Sequence, residues 1–171
     1  HAEINTFCPV CQSPLLSRYD LESTRKHVDR DAITRRKKGM WRWHELLPVL
    51  HKENQIFLGE GDTPLLSLPH LEKELGLFHI YVKDESSNPT GSFKARGLAA
   101  AISKAKELGV EKVIIPTAGN AGGALAAYAA RAGGWRRHRR RYLGAAAAAT
   151  AVTITTKEPY STIGLTVPAS V

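Results

Sequence analysis

Apolar and polar residues alternate with helical and strand-like periods in the middle of the chain. Apolar residues recur about every four positions after Pro69 and after Ser92, which predicts helices. Glycines punctuate these patterns at Gly76 and Gly109, where we expect the helices to end. The predicted order is a helix over 69–75, a strand over 78–83, a helix over 92–108, a strand over 112–115 and a helix over 120–132.

This alternation predicts an α/β fold with a parallel sheet, covering helices and an incomplete set of strands. Ligands of such sheets bind at the carboxyl ends of strands. The loops 86–91 and 117–120 both follow predicted strands. We therefore expect them to face one pocket.

Lys94 falls on the apolar side of its predicted helix. Helical spacing places it in line with Leu98, Ala101, Ile102, Ala105 and Leu108, whereas Arg96, Ser103, Lys106 and Glu107 lie opposite. A lysine on a buried face has a lowered pKa, and its neutral amine can form a Schiff base with a carbonyl cofactor. The alternative is a lysine near a helix start whose ammonium reaches water along its own stem.

Three motifs surround this lysine in a fixed order. They are Gly59-Glu60-Gly61-Asp62-Thr63-Pro64-Leu65, the segment Asn88 to Gly97 that contains Ser92-Phe93-Lys94, and Thr117-Ala118-Gly119-Asn120-Ala121-Gly122-Gly123-Ala124. Together with Trp41 to Pro48 they resemble threonine synthases, which are pyridoxal-phosphate enzymes of the tryptophan-synthase β-like fold (fold type II). The resemblance extends over about residues 7–133.

The resemblance implies a role for each matched residue. Lys94 would bind pyridoxal 5'-phosphate covalently and move protons, and Asn120 would bond the 3'-oxygen of the cofactor ring. Thr117, Gly119 and Ala121 would receive the substrate carboxylate, in agreement with the attraction of a helix start for anions. An alternative for Asn120 is a helix cap.

Ser87 and Thr63 are further candidates for substrate binding by the same resemblance. Ser, Asn and Thr also suit a turn, which is the alternative for residues 86–90. The implied reaction converts O-phospho-L-homoserine and water to L-threonine and phosphate. Threonine dehydratase and cysteate synthase share the fold and stay open, as do a nonenzymatic fragment and a basic-tailed binding module.

The positive charge of the chain is concentrated near one end. The net charge is +8, but the residues after Gly133 hold six Lys and Arg against one Asp and Glu. A nucleic-acid-binding domain spreads basic residues over a folded face, so we expect no nucleic-acid partner. No apolar run reaches the roughly 20 residues of a membrane span. The expectation is a small-molecule enzyme of the cytoplasm.

Cys8 and Cys11 have the spacing of half a zinc ribbon. A structural zinc site needs four ligands, and no second pair is present in the chain, so we expect no bound metal. Their closeness also argues against a disulfide framework and for a reducing compartment. Residues 1–55 are taken as an N-terminal region that carries this pair, and residues 56–133 as a partial catalytic domain.

Residues 134–171 differ in composition from the rest. Arginines cluster first, followed by Ala145 to Ala149 and a Thr-rich stretch. The related enzymes continue with a strand resembling Gly-Leu-Glu-Ala, and a one-base shift of the codons for Trp135-Arg136-Arg137 encodes Leu-Glu-Ala. The hypothesis is a tail read in a shifted frame. The glycine-rich phosphate loop and the later Ser or Thr of the family are also missing, so we expect this chain to be inactive.

Overall fold

The computed structural model describes residues 7–133, 136–139, 150–155 and 163–164. The helices are α1 (Leu21–His27), α2 (Arg30–Arg35), α3 (Pro69–Leu75), α4 (Lys94–Glu107) and α5 (Asn120–Ala132). The strands are β1 (Leu65–Ser67), β2 (Tyr81–Lys83), β3 (Lys112–Thr117), β4 (Arg136–Arg139), β5 (Thr150–Thr155) and β6 (Ile163–Gly164). Short 3-10 helices cover Met40–Leu46, Lys52–Asn54 and Glu85–Ser87. None of the helices in the described ranges is long and apolar enough to cross a membrane.

Proline and glycine set the helix ends as the sequence predicted. Pro69 is the first residue of α3, where its missing N–H costs nothing. Gly76 ends α3 in the left-handed conformation with φ 64°, and Gly109 follows α4 with φ 67°. The predicted bounds of α3 and α5 are confirmed.

The described residues form a mixed α/β structure, and the pairing of their short strands differs in detail from the predicted parallel sheet. β2 pairs with β1 in an antiparallel two-stranded sheet, and β3 pairs antiparallel with β5 and parallel only with the two-residue β6. β1 and β2 are exposed along their whole length. Strands of parallel sheets are covered on both faces, whereas β2 is exposed, and pairing with the nearby β1 satisfies its backbone at a low loop-closure cost.

The predicted strand 78–83 is also shorter than expected. His79 has φ 61°, a left-handed conformation that interrupts the extended chain, and Phe78 is 85% exposed. β3 extends further than predicted, to Thr117, and only Val113 and Thr117 in it are buried. The other residues of β3 are half-buried, apart from the exposed Pro116.

Helices α4 and α5 pack against each other and form the core. The fully buried side chains there are Ala95, Ala99, Ile102, Ala124, Leu125, Tyr128 and Ala129. Four of them are alanines, which let the two helices approach closely. Met40 and Ile56 complete this core from the preceding segment, so both ends of residues 40–56 pack onto the helices.

The buried side of α4 differs from the predicted apolar stripe. Ala101 is exposed, whereas Ser103, predicted on the solvent side, is fully buried. The Ser103 hydroxyl accepts a hydrogen bond of 2.9 Å from the backbone N–H of Ile56. That bond explains the difference, because a buried N–H needs an acceptor and the Ser103 hydroxyl supplies it. Lys94 therefore lies beside the buried stripe, not within it.

The segment before the first motif is held by long-range polar contacts. The Trp41 indole donates to the Ile56 carbonyl at 3.0 Å, and the Met40 N–H donates to the Glu60 carbonyl at 2.9 Å. Arg36 binds the Glu45 carboxylate through two nitrogens, at 2.5 and 2.8 Å. The guanidinium lowers the pKa of Glu45 to about 2.

The predicted domain boundary at residue 133 coincides with the end of the continuously described range 7–133. Beyond it the structure describes the backbone of β4, β5 and β6, which lie in one sheet with β3. The rest of the segment 134–171 lies outside the described residues.

Candidate functional site

Lys94 is the first residue of α4 and is half-buried. Its Nζ lies 4.5 Å from the centroid of the Phe93 ring, and Phe93 is itself 58% exposed. Within the described part of the chain, no carboxylate pairs with this amine. The amine is thus held next to an aromatic face and is available to a ligand.

Two hydroxyl groups before Lys94 are buried without a partner. The Oγ1 of Thr90 and the Oγ of Ser92 are buried and bond to no described atom. Buried hydroxyls are normally hydrogen-bonded, because an unpaired one loses its bonds to water. Both hydroxyls belong to the segment that leads into Lys94, the first residue of α4.

Glu85 is the centre of a polar network next to α4. Its carboxylate accepts bonds from Arg96 Nε at 2.6 Å and Nη2 at 2.7 Å, from the Thr63 hydroxyl at 2.6 Å, and from Asn88 Nδ2 at 2.8 Å. The Asn88 side-chain oxygen Oδ1 in turn accepts from the Gly61 N–H at 3.2 Å. The Arg96 guanidinium and these other donors lower the pKa of Glu85 to about 2.

The structure gives the two other loop candidates different surroundings. Thr63 is buried, its hydroxyl is engaged with Glu85, and its carbonyl accepts from Lys83 Nζ at 2.5 Å. Ser87 is exposed, and its hydroxyl donates to the Asp84 carbonyl at 3.0 Å. Thr63 therefore joins elements of the protein together, whereas Ser87 closes a turn at the surface.

The start of α5 is capped from inside by Thr117. Its buried Oγ1 accepts bonds from the N–H of Gly119 at 3.0 Å and of Gly122 at 2.9 Å. Gly119 precedes the helix with φ 147°, so Asn120 is the first helical residue and not the cap. The Asn120 side chain is exposed. The N–H groups of Asn120 and Ala121 bond to no acceptor in the described ranges.

Glu60 connects the first motif to α5, a contact that the sequence did not predict. Glu60 and Tyr128 are fully buried, and the Tyr128 hydroxyl donates to Glu60 Oε2 at 2.7 Å. Burial raises the pKa of Tyr128, and the neighbouring carboxylate raises it further. A glutamate between two glycines is usually a solvated turn residue, so its sequence context carries no sign of burial.

These contacts join the three motifs in space. The first motif bonds to the second between Gly61 and Asn88, and to the helix of the third between Glu60 and Tyr128. Among the described residues no hydrogen bond links Lys94 directly to Asn120 or Thr117. The structure thus brings the motifs together while leaving the lysine and the helix start free.

Cys8 and Cys11 occupy a tight turn apart from this site. The Cys8 N–H donates to the Ser13 carbonyl at 2.8 Å, and Gln12, with φ 57°, donates its N–H to the Cys8 carbonyl at 2.9 Å. Hydrogen bonds from Ser13 and Cys8 lower the pKa of the exposed Cys11 to about 7. The described residues contain no group of three or more His, Cys, Asp or Glu able to hold a metal.

Comparison with known proteins shows which class of protein the region of the site resembles. Residues 56–136 match the family of pyridoxal-phosphate dependent enzymes, and they contain all three motifs. This match covers just under half of the chain and includes Lys94, Thr117 and Asn120.

The similar curated proteins within this class are threonine synthases. The chain is 46% identical to threonine synthase of Methanocaldococcus jannaschii over 115 residues, which are 67% of this chain and 28% of the relative. It is 50% identical to the Halalkalibacterium halodurans enzyme over 91 residues, or 53% of this chain and 25% of the relative. It is 37% identical to the Methanosarcina acetivorans enzyme over 131 residues, or 77% and 31%. The matches thus span about a quarter to a third of each relative.

The residues present fit the cofactor of the family. A lysine amine without a described carboxylate partner suits an aldehyde, and a helix start with unpaired N–H groups suits an anionic group.

Proposed function

We propose that this chain is part of a threonine synthase, a pyridoxal-phosphate-dependent lyase that converts O-phospho-L-homoserine and water to L-threonine and phosphate. The observation that carries the proposal is the placement of Lys94. It is the first residue of α4, unpaired with any described carboxylate and next to the unpaired Thr90 and Ser92 hydroxyls. The threonine synthase relatives support the choice of reaction.

Lys94 would hold the cofactor through its amine and move protons on the substrate. The bound cofactor would supply an electron sink for carbanions. The half-buried position of Lys94 keeps bulk water away from part of its stem while leaving the amine accessible. Thr90 and Ser92 belong to the segment that leads into Lys94, and their unpaired hydroxyls would be hydrogen-bond donors to oxygen atoms of a bound ligand.

The start of α5 would bind the substrate carboxylate. The N–H groups of Asn120 and Ala121 are unpaired within the described ranges, and the helix dipole adds partial positive charge at this end. Thr117 holds the turn by capping Gly119 and Gly122, which keeps the open N–H groups pointing outward from the helix end. The exposed Asn120 amide would bond the 3'-oxygen of the cofactor ring.

The two loop candidates retain different proposed roles. Ser87 is exposed and stays a candidate substrate contact. The hydroxyl of Thr63 is already engaged with Glu85, so a direct bond to substrate would require it to exchange partners.

The covalent role of Lys94 is testable on the chain itself. The protein is incubated with pyridoxal phosphate, reduced with borohydride and digested for peptide mapping, which also traps weak binding. We expect the label on Lys94 and its loss in Lys94→Arg. Lys104, on the same helix, is the internal control. A label on Lys83 or Lys104 at the level of Lys94 would contradict the proposal.

The reaction itself is testable in a chimera. The matching segment of this chain replaces the aligned 115 residues of the Methanocaldococcus jannaschii relative. We expect release of phosphate and threonine from O-phospho-L-homoserine, and no turnover in the Lys94→Ala chimera. A chimera that instead deaminates threonine, or forms cysteate from O-phosphoserine and sulfite, would point to the sister enzymes of the same fold.

We also propose that the segment 134–171 is read in a shifted frame. The family match ends at residue 136, close to the change in composition after Gly133. Sequencing of the genomic DNA around the Gly134 codon should reveal an alternative frame that encodes Leu-Glu-Ala, then an apolar strand and a glycine-rich loop. Stop codons in that frame without those features would show the tail to be genuine.

A further inference from the structure

We propose that Thr63, Glu85 and Arg96 form a clamp that positions Lys94 by fixing the first turn of α4. The inference rests on the proposed role of Lys94 and adds positioning residues to it. None of the three side chains needs to contact a ligand for the clamp to act.

The start of α4 lacks the usual local device that holds a helix end. Phe93 occupies the cap position, and no side chain there accepts a hydrogen bond from the first N–H groups. Uncapped helix ends fray, and Lys94 is the first helical residue. A lysine that must meet a cofactor at a defined position therefore needs support from elsewhere in the chain.

Arg96 supplies that support from the first turn of the helix. It lies two residues after Lys94 and binds the Glu85 carboxylate through two nitrogens, at 2.6 and 2.7 Å. A two-point bond between a planar guanidinium and a carboxylate fixes orientation as well as distance. The side chains are only 32% and 25% exposed, so water competes weakly for these bonds.

Thr63 ties the pair to the first motif. Its hydroxyl donates to Glu85 Oε1 at 2.6 Å and accepts from Arg96 Nη2 at 3.3 Å. Asn88 adds a third anchor, because its Nδ2 donates to the Glu85 carboxylate at 2.8 Å. The first turn of α4 is thereby linked to two separate loops, and Thr63 gains a role that its hydrogen bonds explain.

Hydrogen exchange measured by mass spectrometry tests the clamp in the 171-residue chain. The variant Glu85→Gln removes the charge of the carboxylate. Because a charged hydrogen-bond partner is lost, we expect the exchange rate of the backbone N–H groups of residues 90–97 to rise about tenfold. Glu107→Gln is the matched control. Glu107 is at the other end of α4, pairs with Lys104 and accepts from the N–H groups of Leu50 and His51.

The two variants should give opposite patterns along one helix. Glu107→Gln should loosen residues 104–109 and leave 90–97 unchanged. Equal exchange over 90–97 in both variants would overturn the clamp. Thr63→Val removes only a hydroxyl, keeps the volume, and should raise exchange over 90–97 by a smaller factor. Circular dichroism confirms that each variant is folded.

The rate of Lys94 labelling by pyridoxal phosphate and borohydride, relative to Lys104, gives the second measurement. We expect the ratio to fall several-fold in Glu85→Gln, to stay unchanged in Glu107→Gln, and to recover in the exchanged pair Glu85→Arg with Arg96→Glu. An unchanged ratio in Glu85→Gln would overturn the clamp while leaving the role of Lys94 intact. Absence of Lys94 labelling in the unmodified chain would instead overturn the proposed function.

Discussion

Tyr128→Phe probes the buried bond that ties the first motif to α5. Tyr128 and Glu60 are both fully buried, and the hydroxyl donates to Glu60 Oε2 at 2.7 Å. The only other described donor to that carboxylate is the N–H of Leu58, at 3.0 Å, and Glu60 Oε1 has no partner. Phenylalanine fills nearly the same space, so the substitution removes one hydrogen bond with little change in packing.

The expected loss in the free energy of unfolding is large for the removal of a single oxygen atom. A hydrogen bond to a charged group contributes about 1.5–3 kcal/mol, and a carboxylate left short of donors in a buried position bears much of its desolvation cost. We therefore expect the free energy of unfolding to fall by about 2–3 kcal/mol in Tyr128→Phe. Burial raises the pKa of Tyr128, so the hydroxyl keeps its proton and the bond persists across the neutral range.

Urea unfolding followed by circular dichroism measures this loss. Tyr81→Phe is the control, since Tyr81 is 51% exposed and its hydroxyl should contribute less than about 0.5 kcal/mol. A loss in Tyr128→Phe no larger than in the control would refute the reasoning. Glu60 would then have other donors, and the link from the first motif to α5 would be weak.

Three other predictions concern single positions. The folded pKa of about 2 for Glu45 and Glu85 lies below the ordinary 4.5, so their stabilisation is complete above pH 4.5 and is lost as the pH falls towards 2. As the pH falls from 4.5 towards 2 in an acid titration, the free energy of unfolding should decrease by about 1 kcal/mol less in either Gln variant than in the unmodified chain, after allowance for solvent screening. Equal decreases would contradict this. Gly61→Ala should destabilise by roughly 3 kcal/mol or more, since φ is 99° and the new Cβ would lie 2.5 Å from a backbone nitrogen, whereas Gly76→Ala, with no atom within 4 Å, should cost about 1 kcal/mol; similar urea midpoints would refute the clash. Gly97→Ala, in the interior of α4 with open space around it, should stabilise by about 0.5–1 kcal/mol, and a lowered melting temperature would count against it.

Local sequence signals predicted the parts of the fold that local physics determines. Pro69 and Gly76 bound α3 because one lacks an N–H and the other accepts a left-handed conformation without strain. The alanine-rich α5 formed over the predicted residues for a similar reason. Each of these features is determined by a few neighbouring residues, so it can be predicted from a single sequence.

Pairing and burial depend on distant residues, and there the predictions failed. The sequence gives no sign that β2 finds its partner in β1, because both strands are short and exposed. Ser103 was predicted on the solvent side of α4, but its hydroxyl is buried and accepts a hydrogen bond from the Ile56 N–H. Lys94 is half-buried at the edge of the buried stripe, because Ala95, Ala99 and Ser103 shift the stripe away from the side of Lys94.

The candidate site was predicted by its motifs and not by its contacts. The identity and order of the motifs drew attention to Lys94, Thr117 and Asn120. Only the structure shows that Thr63 bonds to Glu85 and that Thr117, rather than Asn120, caps α5. A serine or threonine in a motif is the same residue whether its hydroxyl contacts a ligand or another side chain, so the sequence alone cannot separate these roles.

Two glutamates explain how distant motifs become one site. Glu60 holds the first motif against α5, and Glu85 holds the same motif, through Thr63, against the first turn of α4. The first residues of these two helices are the ones assigned to chemistry, Lys94 and Asn120. Because α4 has no side-chain cap of its own, the position of its start depends on these loop contacts more than on its own sequence. The loop 59–63 should therefore tolerate substitutions less well than its polar, glycine-rich sequence suggests. A shift of this loop would move Lys94 at the start of α4.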